Sequence, residues 1–207
     1  MAVDKKHIRE PGIYFLTFTN YKWLPLFEIT KSYDLIYKWF NVLKSKGHYI
    51  AGYVIMPNHL HALIGFHPTD KSINSIVGNG KRFIAYGIVE RLNEARRTDL
   101  LKTLEEGVSV SDKNKGKLHE VFEPSFDLKL CYSYKFLKQK LDYMHSNPLS
   151  KKWDLVKDVI DYLHSSARFY ETGDQGVYEV QHVNEWVYEH WHHELSSTSA
   201  LRLPPSP

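Results

Sequence analysis

Two apolar segments separated by a Pro-Asn pair constrain the fold of this chain more than any other feature. Residues 48–56 (HYIAGYVIM) and 59–66 (HLHALIGF) are rich in β-branched and aromatic side chains, and each has the length of a strand. Proline and asparagine are turn-forming residues. The sequence therefore predicts an antiparallel hairpin, and alternation along its second strand directs His59 and His61 to the same face.

The remaining regular elements are predicted from periodicity and from start and stop signals. β-branched runs and helical spacing of apolar residues predict two more strands and three helices, namely strands at 12–21 and 126–132 and helices at 30–47, 72–96 and 133–147. Gly78 and Gly80 predict a break near the start of the second helix. Residues 98–118 are polar and charged, so they are expected to form a surface loop.

The order of these elements is β-α-β-β-α-β, followed by a helix. This order predicts an α+β, ferredoxin-like fold in which a four-stranded antiparallel sheet carries helices on one face and the third strand is central. Residues 1–173 are expected to form one domain. Residues 174–207 are expected to be a C-terminal extension that ends in a disordered tail.

Composition and charge limit the partners and the cellular compartment that are expected for this chain. The 207 residues carry a formal net charge of +3, which is compatible with a nucleic-acid partner. The single cysteine, Cys131, excludes an intramolecular disulfide and a thiolate zinc site, and it favours a reducing, cytoplasmic setting. Because the first residues are charged and no apolar run reaches the length of a membrane span, neither a signal peptide nor a membrane partner is expected.

Two histidines on one strand face can share a metal ion, but they can equally be a structural pair. Two ligands are too few for a catalytic divalent cation. Asn147 offers an amide oxygen as a third ligand, and Tyr143 stands four residues earlier, on the same face of the predicted helix. A tyrosine there can act as a nucleophile beside the cation or simply pack its ring, and the asparagine can simply end the helix.

Two motifs in order give the chain a family resemblance. IMPNHLHALI and QKLDYMHSNPLSKKW resemble the REP-associated tyrosine transposases, which are single-tyrosine members of the HUH endonuclease superfamily. In that family a His-hydrophobe-His strand motif precedes a helix motif close to Tyr-Ile-His-x-Asn-Pro-Val. Residues 59–61 match the first motif, and residues 143–149 match the second with Met and Leu in place of Ile and Val. With the similar segments 78–92 and 161–170, the resemblance spans most of residues 10–170.

The resemblance implies an RRM-like version of the fold and a specific chemistry. His59, His61 and Asn147 would bind Mg²⁺ or Mn²⁺, and Tyr143 would attack single-stranded DNA beside hairpin (REP-like) elements. The implied activity is that of an endonuclease and strand transferase with a 5′-phosphotyrosine intermediate. The implied oligomeric state is a monomer or a homodimer.

Several other polar residues have weaker claims to a DNA contact: Lys81, Arg82, Lys140, Ser165 and Ser166. Each has a structural alternative, either as a solvated charge on a helix or, for the serines, as a helix cap. Two rival functions also remain open. One is a replication or mobilisation nickase of the same superfamily. The other is a non-catalytic RRM-like nucleic-acid binder, which would need aromatic residues on the open sheet face in place of the histidine pair.

Overall fold

The computed structural model describes residues 8–185, and its centre is a four-stranded antiparallel sheet. The strands are β1 (Gly12–Thr19), β2 (Tyr49–Met56), β3 (His59–Phe66) and β4 (Asp127–Leu130). Their order across the sheet is β2-β3-β1-β4. The predicted hairpin, the interior position of the third strand and the α+β ferredoxin-like topology are therefore confirmed.

Helices cover both faces of this sheet. In chain order they are α1 (Leu26–Ile29), α2 (Tyr33–Ser45), α3 (Ile73–Glu94), α4 (Thr98–Glu106), α5 (Val110–Lys113), α6 (Tyr134–Ser146) and α7 (Ala167–Thr172). The strand-connecting helices α2 and α3 share one apolar core with one sheet face. Helix α6, which follows the last strand as predicted, shares a second core with the other face. Within residues 8–185, none of the helices combines the length and the apolar character that crossing a membrane requires.

The structure corrects two predictions about local structure. The expected surface loop at 98–118 contains helices α4 and α5, because Leu100 and Leu104 lie one turn apart and bury their side chains. The expected break at Gly78 and Gly80 is absent, since α3 runs without interruption from Ile73 to Glu94. Helix α4 is not evident from the sequence because the composition of its segment is polar. The packing described below explains why a glycine stands at position 80.

A segment near the C-terminus pairs with the outer edge of β2. The backbone nitrogen of Ile55 donates to the carbonyl oxygen of His164 (2.8 Å), and the nitrogen of Ser166 donates to the carbonyl oxygen of Tyr53 (3.0 Å). The first part of the predicted extension packs on the domain. Val180 and Val183 are each only 3% exposed. Residues 186–207, where the tail was predicted, lie outside the described residues.

His164 is held between aromatic side chains of α2. Its ring stacks on Tyr33 at 3.7 Å between centroids, and the Tyr37 hydroxyl lies 2.9 Å from its Nδ1. Tyr162 lies edge-on to the same imidazole, and Lys31 is the nearby positive charge. Burial, assisted by Lys31, lowers the pKa of His164 to about 4.

This pKa makes stability depend on pH. An exposed histidine in the unfolded chain titrates near pH 6.5, so below that pH the unfolded state binds the proton and the folded state does not. The stabilising contribution of His164 should therefore be complete above about pH 6.5 and should disappear as the pH falls to about 4. We expect the difference in unfolding free energy between wild type and His164→Gln, measured with urea, to shrink across this interval. A difference that is independent of pH would contradict this account.

Two glycines of α3 should respond oppositely to alanine. A Cβ at Gly80 would overlap the indole of Trp39 on α2, whereas a Cβ at Gly78 meets no atom within 4 Å. Gly78→Ala should raise the unfolding free energy by about 0.5–1 kcal/mol because alanine favours the helix. Gly80→Ala should lower it by about 1–3 kcal/mol through overpacking. Urea unfolding of both variants measures these changes in unfolding free energy. Equal stabilisation by the two alanines would contradict the close packing of α3 against Trp39 on α2.

Candidate functional site

The histidine pair lies on the interior strand, beneath α6. His59 and His61 are 4% and 5% exposed, and their ring centroids are 4.8 Å apart. Alternation along β3 turns both rings to the same face, as the sequence predicts, and this is the face that α6 covers. The two imidazoles therefore form one compact group with a small opening to solvent.

Side-chain oxygens fix the orientation of both rings. The Nδ1 of His59 lies 2.7 Å from the Oδ1 of Asn58, and the Nδ1 of His61 lies 2.7 Å from the Oγ1 of Thr17. An amide oxygen only accepts, so the bond to Asn58 keeps the proton of neutral His59 on Nδ1 and leaves a lone pair on Nε2. Among residues 8–185, no hydrogen bond occupies the Nε2 of either ring. Metal-binding histidines characteristically have this arrangement, with one nitrogen bonded to a neighbour and the other free.

Burial keeps both rings uncharged at neutral pH. It lowers the pKa of His59 to about 4, with a smaller contribution from Lys152, and that of His61 to about 3, with smaller contributions from His59 and Lys140. Neutral imidazole is the form that binds a metal ion. The pair can therefore accept a cation at neutral pH without first losing protons.

Tyr143 stands beside this pair on α6. Its ring centroid is 5.3 Å from that of His61, and the side chain is 51% exposed. The ammonium of Lys140, one turn earlier, lies 5.7 Å from the Tyr143 ring and 5.2 Å from the Phe15 ring. The helix thus brings an accessible phenol and a positive charge to the edge of the histidine pair.

Asn147 is joined to Tyr143 rather than to the histidines. Its amide nitrogen donates to the carbonyl oxygen of Tyr143 (3.3 Å), and it begins a short 3-10 turn, Asn147–Leu149, at the end of α6. The part of the chain that the structure describes gives it no hydrogen bond to His59 or His61. Its side-chain oxygen is not used in the bond to Tyr143, so it remains available as an acceptor.

The donor set fits a divalent cation with mixed nitrogen and oxygen ligands. Residues 8–185 contain no cluster of three His, Cys, Asp or Glu side chains that could hold a metal ion. A cation on the two imidazole nitrogens would therefore need an oxygen ligand of another kind, and the amide of Asn147 has a side-chain oxygen that is not used in its bond to Tyr143. Oxygen ligands and open positions for water suit Mg²⁺ and Mn²⁺.

The other residues predicted to contact DNA lie in different parts of the structure. Lys140 lies at the site, as described above. Lys81 lies elsewhere: its ammonium donates to the carbonyl oxygen of Glu123 (2.9 Å) over the rings of Phe122 and Phe126, and burial lowers its pKa to about 8. Arg82 is exposed on α3, the helix that packs on the opposite sheet face.

The two serines are structural. Ser165 and Ser166 are 2% and 1% exposed. The Ser165 hydroxyl accepts from the nitrogen of Ala167, the first residue of α7 (3.1 Å). The Ser166 hydroxyl accepts from the nitrogen of Tyr53 (2.9 Å) and hydrogen-bonds to the Nε2 of His145 (2.9 Å). Both hydroxyls are buried and bonded within the protein, and a DNA contact of these residues stays a prediction.

Sequence reasoning missed the two residues that orient the histidines. Asn58 was interpreted only as a turn residue, although it directly precedes His59. Thr17 is the direct partner of His61 in the pairing of β1 with β3. A threonine within an apolar strand was a signal for Thr17, but its partner depends on a register that the sequence does not reveal.

Comparison with solved structures supports this architecture. The chain is similar to a REP-associated tyrosine transposase that was solved bound to a REP hairpin, with 18% identity and a TM-score of 0.55 over 88% of this chain and 93% of that chain. The chain has the fold of that transposase. A Deinococcus radiodurans R1 protein, provisionally named a transposase, matches with 17% identity and a TM-score of 0.36 over 70% of this chain and 97% of its own, which is too low to support an argument. No protein-family model and no curated protein matches the sequence.

Proposed function

We propose that this protein is a transposase-type enzyme that cuts and rejoins single-stranded DNA, with Tyr143 as its nucleophile. The observation that carries the proposal is the 5.3 Å separation between the rings of Tyr143 and His61, in a site where His61 and His59 are neutral and oriented. The shared fold with a REP-associated tyrosine transposase supports the same assignment.

His59, His61 and Asn147 are the proposed ligands of Mg²⁺ or Mn²⁺. A divalent cation held there supplies Lewis-acid polarisation of the scissile phosphate. Thr17 and Asn58 keep the two imidazoles in the orientation that binding requires. Lys140, whose ammonium lies 5.7 Å from the Tyr143 ring, favours the negative charge of the phosphate beside the phenol.

The proposed reaction exchanges one phosphate ester for another. The phenol oxygen of Tyr143 forms a bond to phosphorus and releases its proton, while the bond from phosphorus to the 3′ oxygen breaks and that oxygen takes up a proton. The products are a 5′-phosphotyrosine and a free 3′-hydroxyl. Attack by another 3′-hydroxyl reverses the step, so rejoining needs no nucleotide cofactor.

The proposed substrate is a single strand flanked by a hairpin. The neighbour with the same fold was solved bound to a REP hairpin. The net charge of +3 implies only a modest attraction to the backbone, which salt weakens. Recognition should therefore depend on exposed bases as well as on phosphates.

The nucleophile can be tested by removing one oxygen atom. Because Tyr143 is half-exposed, Tyr143→Phe should fold normally and keep the ring contact with His61. A hairpin-flanked strand labelled on the 3′ side of the cut should give a protein–DNA band on a denaturing gel with wild type and Mn²⁺, and no such band with the variant. Tyr132→Phe is the matched control, since this tyrosine is also exposed but precedes α6. An undiminished adduct in Tyr143→Phe would assign the nucleophile to another residue.

The proposed ligands should be necessary for cutting and dispensable for folding. His61→Ala and Asn147→Ala should each reduce Mn²⁺-dependent cleavage by roughly 100-fold or more, whereas alanine at the exposed His67 should leave it unchanged. Isothermal titration of Mn²⁺ into the proteins provides a second readout, with weaker binding expected only for the first two variants. Cleavage by the wild type that persists in excess EDTA would remove the metal from the mechanism.

A further inference from the structure

A group of two tryptophans and a lysine adjoins His59 of the histidine pair. The ring centroids of Trp23 and Trp153 lie 6.0 Å and 5.9 Å from that of His59. The ammonium of Lys152 lies 4.5 Å from the Trp23 ring and 5.5 Å from the Trp153 ring. Trp23 is 54% exposed, so a broad aromatic face is open beside the site.

The backbone that carries Trp23 is strained. Lys22 and Trp23 have φ values of 51° and 58°, in the left-handed region that bulky residues rarely adopt. Three hydrogen bonds hold this turn: Lys22 N to Glu123 Oε1 (2.8 Å), Trp23 N to Asn20 O (3.0 Å) and Asn58 Nδ2 to Trp23 O (2.9 Å). Burial of the indole does not account for the strain, because half of the side chain faces solvent.

We propose that Trp23 and Trp153 form a nucleobase-binding subsite for single-stranded DNA, in which a base next to the phosphate attacked by Tyr143 stacks on the exposed indole and Lys152 contacts a flanking phosphate. This inference rests on the proposed function and specifies how the strand is held. Nothing in the histidine–tyrosine chemistry requires these three residues.

The chemistry of the group favours an unpaired nucleotide over other occupants. Every base has a flat face that stacks on an indole, whereas the bases of a duplex are already stacked on each other. A cationic ligand such as a methylated amine would be repelled by Lys152, whose ammonium lies 4.5 Å from the centre of the Trp23 ring. An anionic, aromatic ligand satisfies both the charge and the rings.

Asn58 connects this subsite to the proposed metal ligand. One atom of its amide donates to the carbonyl oxygen of Trp23 (2.9 Å), and the other accepts from the Nδ1 of His59 (2.7 Å). Asn58 is 2% exposed, so water does not compete for these bonds. The position of a stacked base is thereby fixed relative to the histidine pair.

Binding of short DNA in EDTA tests the subsite without cleavage. The probe is a dye-labelled oligothymidine of about 12 nucleotides, compared with an abasic strand of equal length that keeps the phosphates and lacks the bases. In fluorescence anisotropy, Trp23→Ala should raise the Kd for oligothymidine by about 5-fold to about 150-fold, and Trp23→Phe should recover most of the loss. On the abasic strand, wild type and Trp23→Ala should bind alike.

Phe83→Ala is the matched control. Phe83 is 65% exposed and has the guanidinium of Arg82 5.5 Å from its ring, but it belongs to α3 on the other side of the sheet. This variant should bind oligothymidine as wild type does. Urea unfolding verifies each protein, and Trp23→Leu, which fills space without stacking, replaces the alanine variant if that one does not fold.

The outcomes separate this inference from the proposed function. Three results would each overturn the subsite. The first is an unchanged Kd for oligothymidine in folded Trp23→Ala or Trp23→Leu. The others are equal affinity of the wild type for oligothymidine and the abasic strand, and no binding of either strand by the wild type. The adduct assay is run on the same preparations. If adducts form while Trp23 proves irrelevant to binding, the subsite fails and the tyrosine chemistry stands. If no adduct forms while binding depends on Trp23, the subsite stands as part of a DNA-binding protein.

Discussion

Burial of the third strand on both faces is the constraint on which the site depends. All eight residues from His59 to Phe66 are buried, and β2 and β1 flank the strand on either side. Two imidazoles in such a position must remain neutral, because charging them would require water that the fold excludes. The hydrogen bonds from Thr17 and Asn58 offset part of the loss of solvation. The same burial that makes the pair unusual in a core makes it suitable as a pair of metal ligands.

The turn between β2 and β3 also positions residues of the site. Asn58 follows β2 and precedes β3, and its backbone oxygen accepts from the nitrogen of Asn20 (2.8 Å). Its side chain orients His59 and holds the turn of Trp23. A single buried amide therefore couples the histidine pair to the exposed indole. Sites built on strands and tight turns hold their geometry better than sites built on long loops.

The features that the sequence predicts depend on residues that are close together in the chain. Several features that it does not predict depend on contacts between residues far apart in the chain. The hairpin, the alternation that pairs His59 with His61, and the helix that follows the last strand all depend on neighbouring residues, and the structure contains each of them. The bond from Thr17 to His61 spans 44 residues and depends on strand register. The bond from Lys81 to the carbonyl of Glu123 spans 42 residues and holds an apparent surface charge in a partly buried position. Helix α4 was missed because its three leucines stand in a polar, charged segment, and only Leu100 and Leu104 of them are buried.

Helix α6 is immobilised on the side opposite Tyr143. Leu137, Leu141 and Met144 enter the second core, and His145 hydrogen-bonds to Ser166, which is itself bonded to the backbone of Tyr53 on β2. His145, two residues after Tyr143, thus ties the helix to the sheet while Tyr143 itself remains half-exposed. A nucleophile on a helix fixed in this way needs little reorganisation to meet a bound phosphate, since its position relative to β3 is set by folding and not by the substrate. Ser166 and His145 therefore contribute to the proposed chemistry by holding the helix in place.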